Sequence, residues 1–132
     1  FKSMDSIKFI GKIHSPLKDI ADCPLQEDEG APQVSVQIYK EFRKALLGLS
    51  AGAKIFLLTW LHKANRNELM TKPRNNPNAK TRGVFATRSP DRPNPIGMHV
   101  AEILDIGDNG EIKISNLEVI DGTPVIDIKP YL

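Results

Sequence analysis

Apolar and polar residues alternate along Ser6 to Ser15, SIKFIGKIHS, with Gly11 in the middle. That period predicts a strand with one buried face. Ser15-Pro16 ends it, and Leu17 to Pro32 follows as a long irregular segment rich in acids, with Pro24, Gly30 and Pro32. Alternation resumes from Gln33 to Ile38. Lys40 to Leu47 is the one short helix candidate: Phe42, Leu46 and Leu49 share a helical face, and Gly48 stops it. Lys54 to His62, KIFLLTWLH, is an unbroken apolar run and predicts a strand buried on both faces. Lys63 to Thr81 is a long polar loop. Gly83 to Thr87 and Ile96 to Ile106 read as strands, separated by a proline-rich crossover. Asp108-Asn109-Gly110 is a hairpin signal, and Glu111 to Val119 is the returning strand. Asp121-Gly122-Thr123-Pro124 is a turn before a last short strand, Val125 to Ile128. The sum is mainly β: six or seven strands, one short helix and long loops, arranged as a closed barrel or a sandwich.

Composition narrows this picture. A chain of 132 residues is expected to form one domain. Phe1-Lys2-Ser3 precede Met4 and carry no weight in the fold, so the domain is taken as residues 4–132. The single cysteine, Cys23, excludes an internal disulfide framework and a multi-cysteine zinc site, and it fits a reducing compartment such as the cytoplasm. His14, His62 and His99 are scattered, so no metal is expected. No apolar run approaches the ~20 residues of a membrane span, and no signal-peptide pattern opens the sequence. Charge is uneven. From Lys63 to Arg92, eight basic residues face two acids, a net +6; from Glu102 to Leu132, seven acids face two lysines, a net −5. A basic middle suits an anionic, polar partner.

Two segments are unusual enough to carry chemistry. In Arg88-Ser89-Pro90-Asp91-Arg92-Pro93-Asn94-Pro95, each proline fixes its own φ and extends its predecessor. A backbone stiffened this way holds arginine forks where they can meet a carboxylate or phosphate; it also suits a plain crossover between strands. In Leu117 to Leu132, the Asp121–Pro124 turn offers a carboxylate and open backbone amides. His62 stands where an apolar strand meets the basic loop. Trp60 lies inside the apolar run and is assigned to the core. No phosphate-cradling glycine loop or dinucleotide fingerprint is present, which removes a doubly wound cofactor domain.

GVFATRSPDRPNPIG together with IDGTPVIDIKPYL closely resembles the TrmO, or TsaA-like, family of S-adenosylmethionine-dependent tRNA methyltransferases. The resemblance extends to Ile10–Pro16, to Pro24-Leu25-Gln26 and to Ile55–His62, with His14 standing where arginine is common in the family. It implies a single-sheeted β-barrel, a homodimer and a cytoplasmic location. It also implies that the substrate is tRNA carrying threonylcarbamoyladenosine beside the anticodon, methylated on the exocyclic nitrogen. By the matching motifs, the cofactor contacts are Gln26, His62, Lys63, Arg88, Met98, Asp121, Gly122, Thr123 and Pro124. Asp121 or His62 is the expected proton acceptor, and Arg88 or Arg92 the expected fork for the threonine carboxylate. Lys72, Arg74, Lys80, Arg82 and Arg92 are expected on the RNA side. Longer bacterial members carry a C-terminal domain, which the resemblance places after Pro130-Tyr131-Leu132. Two other readings stand beside the enzyme: a non-catalytic cofactor- or RNA-binding module, and a methyltransferase of this fold with another substrate.

Overall fold

Six strands build the main sheet of the computed structural model, which describes residues 5–17, 34–72, 78, 80–115 and 117–132. In chain order the strands are β1 (Gly11–His14), β2 (Val34–Ile38), β3 (Lys54–Trp60), β4 (Met70–Thr71), β5 (Arg82–Gly83), β6 (Ile96–Ile106), β7 (Glu111–Ile114) and β8 (Pro124–Pro130). Every ladder is antiparallel, and the order around the main sheet is β1-β2-β7-β6-β3-β8. A short β1–β8 ladder, Gly11 opposite Val125 and Lys12 opposite Pro124, joins the sheet's two ends into a closed barrel. Strands β4 and β5 form a separate two-stranded ribbon.

Period-two patterning explains most of this. On β2 and β7 the alternate residues Val34, Val36, Ile38, Ile112 and Ile114 point inward and are fully or almost fully buried. They meet Ile13, Ile55, Leu57 and Ile103 in one core. Burial of this kind is the main stabilising term of a barrel this small. The Lys40–Leu46 segment is helical but of the tighter 3-10 kind, with no side-chain cap at Tyr39. Seven residues are too few for a stable α-helix in isolation. It is held by Phe42 and Leu46, which pack with Leu49 against the core.

Several sequence expectations need correction. β1 is only the second half of the alternating segment at Ser6–Ser15. β3 is not buried on both faces: Ile55, Leu57 and Thr59 are buried, while Phe56, Leu58 and Trp60 are half-buried on the outside. An antiparallel sheet commonly keeps one solvated face. Its apolar outer residues are partly covered instead: Tyr131 lies with its ring 5.0 Å from that of Phe56, and the Arg66 guanidinium sits 5.0 Å over Trp60. Trp60 is therefore not a core residue. Gly83–Thr87 is not a strand: Arg82–Gly83 pairs with Met70–Thr71, and Val84–Ala86 then makes a 3-10 turn. β7 stops at Ile114, yet Leu117, Val119 and Ile120 remain buried beyond it. β8 is longer than expected, at Pro124–Pro130.

Gly97 is required by a close approach. A Cβ there would lie 2.5 Å from Thr59 Oγ1 and 2.7 Å from His99 Nε2. Those two atoms are hydrogen-bonded to each other at 3.0 Å, and Thr59 is fully buried. Gly97→Ala is expected to destabilise the fold by about 1–3 kcal/mol through overpacking. Gly97→Ala combined with His99→Ala should recover part of that loss. Urea denaturation of the two variants checks this; equal losses would mean that His99 is not the obstruction.

Candidate functional site

Alternating strand directions sort the connections between two ends of the barrel. The links β1→β2, β3→β6 and β7→β8 all lie at one end. The opposite end carries the 3-10 helix and the β6–β7 hairpin. Among the described residues, the links at the first end contain His62, Lys63, Arg88, Asp121, Gly122 and Thr123, while Met98 and Pro124 stand at the starts of β6 and β8 at that same end. Cys23, Gln26 and Arg74 fall outside the described residues, so their places are not assigned.

The β3→β6 link folds back on itself. Leu61 N donates to Pro95 O at 2.8 Å, and Asn65 N to Asp91 Oδ1 at 2.9 Å. Arg66 Nε donates to Pro93 O at 2.8 Å, and its Nη2 to Asn94 Oδ1 at 3.2 Å. Residues 61–66 are therefore laced along the proline crossover, and His62 and Lys63 lie between the laced positions. Thr59 and Ile96–Gly97 lie just below, where β3 and β8 shift register between Leu58 and Thr59. Such irregularities re-aim side chains next to functional sites.

The arginines of the crossover divide sharply. The Arg92 guanidinium turns inward: its Nη2 donates to Val84 O and to Thr87 O, the latter at 2.8 Å, while its Nε is buried without a partner. Arg92, expected on the RNA and catalytic side, thus has donors engaged on backbone carbonyls, where they brace the Val84–Thr87 turn. Arg88 is exposed and has no hydrogen bond or ion pair with any described residue. It is the guanidinium of the crossover that remains available.

The Asp121 turn also differs from expectation. Its amides are not open: Asp121 N donates to Leu17 O at 2.6 Å, Gly122 N to Ile13 O at 2.8 Å and Thr123 N to Ile120 O at 3.3 Å. Asp121 Oδ1 accepts from Ser15 N at 3.0 Å, and Thr123 is fully buried with its hydroxyl donating to Ile120 O. The turn thus clasps the end of β1, and Gly122 makes it with a φ of 83°, a conformation that favours glycine. What it can offer a ligand is the Asp121 carboxylate and the exposed Gly122, rather than a row of amides.

His62 is exposed at the margin of the laced loop. Partial burial, and then the positive charge of Lys63, hold its pKa below the ordinary histidine value. It is therefore mostly neutral at pH 7 and able to accept a proton. Met98 lies on the outer face of β6, opposite Leu58 on β3, and is exposed. Lys72, Lys80 and Arg82 are exposed on and around the β4–β5 ribbon. Among the described residues, no group of three or more His, Cys, Asp or Glu is placed to hold a metal ion. Sequence reasoning missed Arg66, treated there only as one more positive charge. Its signal is weak, since nothing local distinguishes an arginine that laces a loop from one that faces solvent.

Fold and site together define a small antiparallel β-barrel protein whose one end carries a hydrogen-bonded, arginine- and proline-rich crossover. Residues 12–132 match the family model of the tRNA-methyltransferase O N-terminal domain, and the chain belongs to that family. A relative from Methanothermobacter thermautotrophicus, named a probable S-adenosyl-L-methionine-binding protein, is 42% identical over 95% of this chain and 88% of its own length. The tRNA (adenine(37)-N6)-methyltransferase of Escherichia coli is 36% identical, over 98% of this chain and 59% of the enzyme. Among solved structures, TrmO from Pseudomonas aeruginosa superposes with a TM-score of 0.72 at 32% identity, covering 96% of this chain and 55% of that one. A second TrmO structure gives 0.75 at the same identity, with 57% of its chain covered. The chain thus spans little more than half the length of these solved relatives.

The contrast between the two crossover arginines is measurable. Arg92→Ala removes the donor to Thr87 O and one of three donors to Val84 O, and should cost about 1–3 kcal/mol. Arg88→Ala should stay within about 0.5 kcal/mol of the parent, as surface changes do. Guanidinium denaturation checks both; equal stabilities would remove the bracing role of Arg92.

Proposed function

We propose that this chain is the catalytic domain of an S-adenosylmethionine-dependent methyltransferase that acts on the exocyclic N6 of threonylcarbamoyladenosine next to the anticodon of tRNA. The observation that carries the reading is the meeting, at one barrel end, of an uncommitted arginine, a near-neutral histidine and a turn carboxylate, in a chain of this family.

The side chains suit the cofactor's chemistry. S-adenosylmethionine has an ammonium, a carboxylate and a ribose, and when bound it supplies a methyl group on a cationic sulfur. Asp121 presents a carboxylate to the ammonium or the ribose hydroxyls. Arg88 presents a planar fork to a carboxylate. Gly122 and Pro124 allow close approach of the backbone, and Lys63 adds positive charge beside His62. Thr123 shapes the turn from below. The exocyclic nitrogen must lose a proton as its new bond to carbon forms. His62 accepts it, because its ring is neutral and exposed, whereas Asp121 already accepts from the Ser15 amide. Positioning supplies much of the remaining rate, and a laced crossover supplies positioning. Lys72, Lys80 and Arg82 neutralise phosphates, so RNA affinity should fall steeply with salt.

The outer face of β3 and β6 supports a homodimer. Ile96, Met98 and Val100 form an exposed apolar row, opposite Trp60, Leu58 and Phe56 in the register. Contiguous apolar surface of this kind marks an interface, and a twofold dimer buries it against itself. Val100→Glu should convert the dimer to a monomer in sedimentation velocity; a parent chain that already sediments as a monomer would remove this reading.

The activity test is incubation with S-adenosylmethionine and modified tRNA, followed by nucleoside mass spectrometry. A methylated threonylcarbamoyladenosine peak is expected. Cofactor binding without that peak would favour the non-catalytic module or another substrate. The rate should rise with pH through the lowered pKa of His62 and fall as the pH drops below it, because only the neutral ring accepts a proton. His62→Gln should lose that acidic limb together with about 10²–10⁴ of the rate. An unchanged pH profile would exclude His62 as the acceptor.

A further inference from the structure

We infer that Phe85 is a stacking platform for an unpaired nucleobase of the RNA; the inference rests on the RNA-substrate reading above and adds a residue to it. Phe85 is 87% exposed, at the middle of the Val84–Ala86 turn, while its neighbour Val84 is buried. Burying a phenylalanine side chain is ordinarily favourable, so a fold that holds the ring in water forgoes that gain. Here the backbone enforces the exposure. Val84 N donates to Leu69 O at 2.9 Å. Val84 O accepts from Thr87 N at 3.1 Å, from Thr87 Oγ1 at 2.9 Å and from Arg92 Nη2. Arg92 also grips Thr87 O at 2.8 Å, and Ser89 N donates to Thr87 Oγ1 at 3.2 Å. Residues on both sides of Phe85 are clamped, so the backbone that presents the exposed ring is held in place.

The surroundings select the occupant. Residues 69–90 contain five cations, Lys72, Arg74, Lys80, Arg82 and Arg88, and no acid. Arg82 and Arg88 flank the ring three positions before and after it, and both are exposed. Leu69 and Met70, on the paired side of the ribbon, are exposed at 63% and 54%. A base stacks on an aromatic face whatever its identity, while arginines on either side take the adjoining phosphates. An apolar protein surface would meet the exposed charges of Lys72, Lys80, Arg82 and Arg88 on and beside the same ribbon. A single-stranded nucleotide satisfies both the ring and the charges.

The test uses the parent chain, Phe85→Ala and Phe85→Trp, with two probes. One is an RNA hairpin with an unpaired loop; the other is the same hairpin with abasic loop nucleotides. Phe85→Ala should weaken binding to the base-bearing loop by roughly 5- to 100-fold, the range for loss of one stacked base. Phe85→Trp should bind it as tightly as the parent or more so. All three should bind the abasic hairpin alike, with unchanged salt dependence, and S-adenosylmethionine affinity should not move. Parent-like binding of the base-bearing loop by Phe85→Ala would overturn the inference, as would an equal loss on the abasic hairpin. A shift of Phe85→Ala from dimer to monomer in sedimentation would reassign the ring to a subunit contact and also overturn it. If the parent chain binds neither hairpin at low salt, the RNA reading itself fails and this inference falls with it.

Discussion

Strand β3 is hydrogen-bonded along its length to β6 on one side and β8 on the other. Everything proposed for the site depends on that double ladder. Its register sets Thr59 opposite Gly97 and opposite Val125, which brings the end of β3, the crossover into β6 and the turn into β8 to one rim. A slip of one residue in either ladder would turn Leu57 and Thr59 outward and separate these segments. Thr59 is fully buried, bonded to His99 over Gly97, so the register is locked closest to the place where it matters.

Above that rim polar bonds tie the backbone together. Of the eight basic residues from Lys63 to Arg92, Arg66 and Arg92 spend donors on the crossover or its neighbours. Val84 O gathers three donors, from Thr87 twice and from Arg92. Each such bond contributes only about 1 kcal/mol net, but several acting on one short segment remove most of its alternative conformations. Prolines at 90, 93 and 95 restrict it further, and none of them has an amide that would need a partner.

Much of the strand arrangement was legible in the sequence, because alternation at Val34–Ile38 and the Asp108-Asn109-Gly110 hairpin are local signals that local geometry obeys. Sidedness of β3 was not legible. Its outer residues are partly covered by Tyr131, distant in the chain, and by Arg66, which folds back from the following loop. Nor did the apolar character of Leu117, Val119 and Ile120 reveal that they are buried without ladder partners; apolarity reports burial and is silent on pairing. At the site, the segments were legible and the roles were not. Arg88 and Arg92 have the same side chain and the same proline-rich setting, and only the position of the Val84 and Thr87 carbonyls separates them. The amides of the Asp121 turn looked open because their acceptors, Leu17 O and Ile13 O, lie more than a hundred residues upstream.

The same separation explains how one cationic stretch can both build a site and serve it. An arginine whose donors are satisfied by backbone carbonyls stiffens the chain and is lost to ligands; an arginine without such partners keeps its fork for them. Arg92 and Arg66 belong to the first kind, Arg88 and Arg82 to the second. A crossover ordered before the ligand arrives loses little conformational entropy on binding, which favours affinity and accurate placement. The Val84–Thr87 turn shows the same logic on a smaller scale, with the buried Val84 and the Arg92 clamp on one side and the exposed Phe85 on the other. Bonded or buried framework groups and exposed side chains alternate along a single segment, so a substitution at a framework position such as Arg92 should disturb the placement of Arg88 and Phe85 together.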